Sequence, residues 1–314
     1  MTVLITGGMG FIGLNTIEAF LDAGADVVAT YHQTWRVPSF LEPHVGHRLT
    51  FEQVDMSEPG ALLAIARKHR VEDIVHMAIH GQANKDAGDD LRANLDKLAV
   101  LLDAARDAGV RRLSLSSIVS IVASGPFRED DLATIDTPIP PFAYKKAWEI
   151  LALNYARLSG IEVVNMRLPG VYGPLYASMR NLPSRLCHAA ARGIETDLSP
   201  AIGGVPFADD AADLAYVKDI ARGVVLVQQA EKLEHHTYNI GSGRATSNAE
   251  FVAAVKKIKP SFDVELQPGK SPSFRQDAYA DISRAGSELG YEPRYSWETG
   301  VAEYIDWLEQ GNPQ

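Results

Sequence analysis

The chain has 314 residues, 46% hydrophobic and 22% charged, with a net charge of -10 and a single cysteine. That length allows one large domain or two closely joined ones around a substantial core. The acidic balance, with no run of Lys and Arg to offset it, argues against a nucleic-acid partner.

Cys187, being alone, can form neither an internal disulfide nor a thiolate metal cluster, and reads as a small buried apolar residue. The opening MTVLITGGMGFIG has no charged leader before its apolar run, so a signal peptide is not expected. No run of about 18 apolar residues offers a membrane span. The expected setting is reducing and cytoplasmic, with no membrane partner.

In chain order, the apolar run Val3–Thr6 predicts a strand, a glycine turn follows, and Phe11–Ala23 predicts a helix. Further strands are expected at Asp26–Tyr31, Arg48–Asp55, Asp73–Ala78, Arg112–Ser117 and Glu162–Arg167. Helices are expected at Pro59–Lys68, Leu91–Ala108, from about Tyr144 to Leu158, and at Ala215–Gln229, before a strand and turn in TYNIGSG. Alternating strands and helices mean βαβ units and a parallel sheet, whose strands are apolar throughout because both faces are covered. The expected fold is α/β, a Rossmann-like doubly wound parallel sheet with a smaller C-terminal substrate-binding lobe. Residues 1–174 and about 211–243 are assigned to the dinucleotide-binding domain, and about 175–210 and 244–314 to the lobe, which is irregular around Pro268–Ser273.

TGGMGFIG places Gly7, Gly10 and Gly13 between the first strand and first helix. Glycines there permit a tight turn and let backbone amides approach a pyrophosphate at a helix N-terminus. This GxxGxxG spacing resembles the extended short-chain dehydrogenase/reductase family of NAD(P)-dependent epimerases, dehydratases and reductases. HMAIHG, LSSIVSI, RLPGVYGP, YVKDIARG, YNIGSG and LGYEPRYSWETGVAEYIDWL are similar, in order, to further motifs of that family along nearly the whole chain.

The resemblance implies that Gly7, Gly10, Phe11, Ile12 and Gly13 hold the pyrophosphate, and that Asp55 and Met56 face the adenine. It implies that Ala78 and Ile79 line the cofactor, that Asn94 sits near the active centre, and that Pro169 and Gly170 approach the nicotinamide. An acid at the end of the second strand would select NAD, and a nearby Arg NADP. That position is Tyr31, followed by His32 and then Arg36. The missing carboxylate and Arg36 favour NADP, while a Tyr31 that only stacks near the adenine would leave NAD.

The family's chemistry moves a hydride between substrate and nicotinamide while a tyrosine exchanges the hydroxyl proton. A lysine one helical turn on lowers the tyrosine pKa and bonds the ribose, and a serine polarises the carbonyl. Ser117, ending the fifth strand, is the serine candidate. In PPFAYKKAWE, either Tyr144 is the tyrosine and Trp148 stands for the lysine, or Lys145 is the lysine and Pro141 stands for the tyrosine. The second register is favoured because Glu149 then falls four residues after the lysine, where the family commonly has a Glu. Tyr144 can reach the site only if the helix starts late, which the preceding prolines make plausible. His80, after the fourth strand, is the other acid–base candidate, suited by an ordinary pKa near ~6.5. No metal is expected, and His235 and His236 read as surface residues.

On the substrate side, family members that bind nucleotide sugars hold the diphosphate with an Asn and an Arg whose positions here are Gly170 and Ala212. The acidic run Ala208–Asp213 would repel a diphosphate, although NLP at Asn181–Pro183 and Arg275 resemble other parts of such a site. The expected activity is therefore NAD(P)-dependent oxidoreduction of a hydroxyl or carbonyl on a small substrate without a nucleotide. Tyr172, Tyr176, Met179 and Arg180 are candidates for that pocket or for packing. The alternatives are a sugar or nucleotide-sugar epimerase or dehydratase, and a cofactor-binding sensor that has lost turnover. The helices Leu91–Ala108 and Tyr144–Leu158 resemble the family's dimer interface, so a homodimer is expected by analogy.

Overall fold

A computed structural model describes residues 1–78, 86–121, 125–134, 140–199 and 205–312. The elements run β1 (Thr2–Thr6), α1 (Phe11–Asp22), β2 (Asp26–Tyr31), β3 (Leu49–Gln53), α2 (Ala61–Lys68), β4 (Asp73–His76), α3 (Ala87–Ala108), β5 (Arg112–Ile118), α4 (Pro140–Ser159) and β6 (Glu162–Leu168). They continue through β7 (Gly170–Tyr172), α5 (Leu182–Arg192), β8 (Ala211–Ala212), β9 (Leu214–Tyr216), α6 (Val217–Gln229), β10 (Thr237–Asn239), β11 (Thr246–Ser247), α7 (Asn248–Ile258), α8 (Ser283–Leu289) and α9 (Trp297–Glu309).

The large sheet has seven strands in the order β10-β6-β5-β4-β1-β2-β3, and β1 pairs in parallel with both β2 and β4. The order reverses direction at β1, which puts the ends of β1 and β4 at the point where ligands bind in open α/β sheets. The expected Rossmann-like parallel sheet is therefore present. Its central strands are buried along nearly their whole length, while the edge strand β3 buries only Leu49; Val3, Leu4 and Ile5 of β1 expose no surface. A core of Leu4, Ile74, Leu101, Leu113 and Val163 joins strands to α2, α3 and α4, with Trp148 and Ala152 as α4's contribution. Burying each large aliphatic side chain contributes on the order of 1.5–3 kcal/mol, so this core dominates the stability of the sheet.

The chain divides into two compact units. The first comprises Met1–Ile121, Thr134–Arg167 and Val224–Tyr238; the second comprises Val122–Ala133, Leu168–Gly223 and Asn239–Gln314. Within the second, β7 pairs with β9 and β8 with β11, and Tyr172, Tyr216, Phe251, Val301 and Tyr304 form the core between α5, α7 and α9. Residues 168–174 and 211–223 pack with this second unit, because β7 and β9 form their own short ladder.

Three local expectations need correction. The helix expected to begin near Tyr144 begins at Pro140, the one expected from Leu91 begins at Ala87, and Ala215 and Tyr216, expected to open a helix, lie in β9, with α6 beginning at Val217. Proline is tolerated in a first turn, whose amides lack intrahelical partners anyway, so the prolines start α4 rather than delay it. At α3, Asp86 caps the helix by accepting from the Asp89 amide at 2.9 Å.

Candidate active site

The β1–α1 turn is built by glycines for two separate reasons. Gly7 adopts φ +72°, and a Cβ on it would lie 2.7 Å from the Ala78 amide nitrogen. A Cβ on Gly13 would come within 2.4 Å of the Gly7 carbonyl oxygen, so the helix can approach the loop only without a side chain. Gly10 occupies the N-cap of α1, and no side chain caps that end of the helix by a hydrogen bond. Phe11, Ile12 and Gly13 form the first turn. The glycines leave a cradle at a positive helix end, which fits a dinucleotide pyrophosphate.

At the other end of this region, Tyr31 closes β2 and stacks edge-on with Trp35 at 4.9 Å, and Trp35 meets Phe51 at 5.3 Å. Arg36 turns back to the glycine loop, its Nε donating to the Met9 carbonyl at 3.4 Å. His32 lies 3.6 Å from the Asp55 carboxylate, which also accepts from the Ser57 amide and hydroxyl. Those two donors hold the Asp55 carboxyl below the usual carboxylate range. His32, Val54 and Asp55 line an open cleft of about 600 Å³, and Met56 packs against the core beside it. Arg36, Tyr31 and Asp55 thus stand at the end of β2 and β3 where an adenosine end is expected.

The candidate catalytic stretch lies on the second turn of α4. Lys145 Nζ donates to the Ser116 carbonyl and, at 3.1 Å, to the Ser116 hydroxyl. Tyr144, one residue earlier, points about 100° away around the helix. Its hydroxyl donates to Asp90 Oδ2 at 2.7 Å, and that carboxylate raises the phenol's pKa by favouring its neutral form. The expected serine, Ser117, is buried with its hydroxyl unpartnered among the described residues, whereas its neighbour Ser116 meets the lysine. Successive strand residues face opposite ways, so only one serine of the pair can meet Lys145. His80 and Ile79 lie outside the described residues.

Ala78, Asn94, Ile118, Pro141, Phe142, Tyr144, Lys145 and Trp148 line a pocket of about 100 Å³. Asn94 is fixed there by donating to the Asp90 carbonyl at 2.8 Å. Burial in these surroundings lowers the Lys145 pKa to about 8, with Glu149 opposing the shift. Glu149 is itself held by a two-pronged ion pair with Arg167, with contacts of 3.1 and 2.8 Å, both side chains buried. Below the pocket His76, the β4 residue aligned with Thr6, shares a 2.7 Å hydrogen bond with the Thr6 hydroxyl. Its ring packs 5.3 Å from that of Trp148, and full burial with Lys145 nearby pushes its pKa down to about 3, so it is neutral.

Sequence reasoning missed Ser116, Asp90 and His76. Strand alternation next to Ser117 was the available signal for Ser116; nothing local marks Asp90, which meets Tyr144 only through the packing of α3 on α4.

In the second unit, Pro169 precedes Gly170, and a Cβ on Gly170 would lie 2.5 Å from Leu214 Cδ2. Ala212 pairs with Thr246. The acids of the 208–213 run are largely employed: Asp213 is buried and accepts from Ser242 and the Ala280 amide, and Asp210 accepts from the Ser271 amide. Asn181 caps α5 through the Ser184 amide and donates to the Val171 carbonyl. Tyr172 is packing, stacked on Tyr216 and Phe251, while Tyr176 and Met179 are partly exposed and Arg180 and Arg275 exposed. Among the described residues no group of three His, Cys, Asp or Glu side chains could hold a metal ion, and no helix is long and apolar enough to cross a membrane.

A sequence profile of the NAD dependent epimerase/dehydratase family matches residues 3–241. The chain belongs to that family, whose members are NAD-dependent enzymes. It is 27% identical to a UDP-glucuronate 4-epimerase from Thermodesulfobacterium geofontis, over 98% of this chain and 96% of that one. It is 24% identical to a dTDP-glucose 4,6-dehydratase from an Actinoplanes species, over 98% and 97%. Among solved structures, it resembles a UDP-glucuronic acid 4-epimerase from Bacillus cereus, in complex with UDP-glucuronic acid and NAD, at TM-score 0.80 and 24% identity, covering 99% of both chains. A dTDP-glucose 4,6-dehydratase from Bacillus anthracis, in complex with NAD, matches at TM-score 0.81 and 21% identity over 99% and 97%.

Proposed function

We propose that this enzyme moves a hydride between a nicotinamide cofactor and a hydroxyl-bearing carbon of a small substrate that carries no nucleotide diphosphate. The observation that carries the substrate reading is the absence of a cation or side-chain amide at the two clamp positions. Gly170 has no side chain, Ala212 offers no charge, and Asn181 turns its amide to backbone on both sides. A diphosphate would meet no cation at those positions and an acidic run beside them.

The bound cofactor supplies the hydride donor or acceptor. In this reading the Gly7–Gly13 loop holds its pyrophosphate, Asp55 and Met56 border its adenine, and Ala78, Asn94 and Lys145 border its nicotinamide end. In the same reading Pro169 and Gly170 are assigned to the nicotinamide as well, with residues 1–174 and about 211–243 serving the cofactor and the remainder the substrate. Arg36, with no carboxylate at Tyr31, supports a preference for the 2′-phosphate of NADP. A lone buried thiol suits a reducing cytoplasm. The exposed apolar residues Leu91 and Leu95 on α3 and Ile150 and Leu151 on α4 support a homodimer joined through these helices.

The second reading is a nucleotide-sugar epimerase or dehydratase, supported by the full-length likeness to such enzymes. Incubation with small alcohols, aldehydes and ketones, read by net change in nicotinamide absorbance, tests the first. Conversion of UDP- or dTDP-sugars without net absorbance change would establish the second instead. Tight cofactor binding without turnover on either panel would leave a sensor.

A further inference from the structure

The position one turn before Lys145 holds Pro141, in the wall of the same pocket, and a proline offers no hydroxyl where the family's chemistry places its phenol. Tyr144 does not fill the gap, because its hydroxyl is spent on Asp90. Lys145 does face the pocket, and its nitrogen is fixed from one side by two acceptors of a single residue, Ser116.

Building on the hydride-transfer reading above, we propose that Lys145 itself exchanges the proton with the reacting hydroxyl, in place of the absent phenol. A lysine nitrogen is tetrahedral. One vertex is Cε, and two N–H bonds point at the Ser116 carbonyl and hydroxyl. The fourth has no hydrogen-bond partner among the described residues, with the Trp148 ring 5.9 Å away as its other neighbour: an N–H in the ammonium, a lone pair in the amine. As the substrate carbon gives its hydride to the oxidised nicotinamide, the substrate O–H bond breaks. Its electron pair forms the C=O bond, and its proton moves onto the Nζ lone pair. In the reductive direction the ammonium returns that proton to the oxygen. Ser116 remains bonded through both steps, so neither requires the side chain to move.

The surroundings suit a lysine that cycles between these forms. Apolar burial brings its pKa to about 8, near working pH, where a general acid–base group is most effective. Among the described residues, the charged and titratable groups around it are Tyr144 and Glu149 from α4 itself, His76 from β4, and Asp90 and Lys97 from α3. Glu149 is committed to Arg167, His76 is neutral at working pH, Tyr144 donates to Asp90, and Lys97 acts on His76. None of these described groups provides a competing proton carrier in the pocket wall.

The first test uses the wild-type protein without cofactor: the pH dependence of Lys145 reductive methylation, followed by peptide mass spectrometry. A midpoint near 8 is expected, and one above 10, where ordinary lysines titrate, overturns the proposal. The second compares wild type with Lys145→Arg, which keeps the charge and the donors but cannot release a proton. Alcohol oxidation by wild type should rise with pH to a plateau, with an inflection near 8. In the variant kcat should fall by about 10²-fold or more, with the inflection lost and the cofactor KM little changed. Lys145→Ala, rescued by added primary amines in proportion to their basicity, covers the case in which the arginine misfolds. Wild-type turnover together with a Lys145→Arg variant that keeps the inflection overturns this inference alone. No turnover by wild type on any substrate overturns the hydride-transfer reading and this inference with it.

Discussion

Tyr144 donates its hydroxyl to Asp90 across the α3–α4 contact rather than to anything beside Lys145. Tyrosine and lysine are neighbours in sequence, yet on the helix they serve different walls. Tyr144→Phe should therefore keep kcat within a few-fold and cost about 1 kcal/mol of stability from the lost hydrogen bond. Steady-state kinetics beside urea unfolding checks this. A loss of ~10²-fold or more in kcat would restore Tyr144 as the proton carrier.

Gly13→Ala drives a methyl group into the Gly7 carbonyl, which lies 2.4 Å from the required position. The loop must open, and backbone cannot yield as a flexible side-chain tip would. Cofactor affinity, measured by calorimetry, should fall at least tenfold while the far-ultraviolet spectrum stays that of a folded α/β protein.

Arg36→Ala should raise the KM for NADP by roughly 10- to 100-fold, the worth of a charge-assisted hydrogen bond of about 1.5–3 kcal/mol, and leave that for NAD nearly unchanged. Equal losses with both cofactors would mean that Arg36 supports the Met9 loop rather than a phosphate.

Glu149→Gln leaves the Arg167 guanidinium buried beside a neutral amide. Breaking a buried pair from one side costs on the order of 3–5 kcal/mol, visible as a lower urea midpoint. Because Glu149 holds the Lys145 pKa up, the variant's Lys145 should also titrate at lower pH.

Stability should decline on acidification because of two buried histidines. The folded-state pKa of His76 is pushed down to about 3 and that of His188 to about 4, both chiefly by burial. Each group is lowered on folding, so its contribution is present above the unfolded value near ~6.5 and is lost as pH falls through the folded value. Thermal midpoints measured from pH 7 down to pH 4 should drop, and His76→Phe or Leu should flatten that slope.

The glycine turn and the strands around it were legible because each local signal agreed with the fold: apolar runs for doubly covered strands, glycines where backbone must approach backbone. Asp55 and Arg36 were legible as positions at strand ends. The choice of Lys145 as the lysine rested on Glu149, four residues on. The start of α4 was misread because proline signals both the end of extended chain and a tolerated first helical turn, and spacing alone does not decide between them. Ser116 was passed over for Ser117 because strand parity cannot be fixed without knowing which face a helix covers. Asp90 could not be found at all, since its meeting with Tyr144 depends on how two helices pack.

The fit between Gly170 and Leu214 bears on how this chain's specificity can change. A Cβ at position 170 would meet only the tip of the Leu214 side chain, which is half-buried and can turn aside, and the position itself is exposed. This is unlike Gly13, where a backbone carbonyl stands in the way. The fold therefore leaves position 170 free to acquire a polar side chain in a single step.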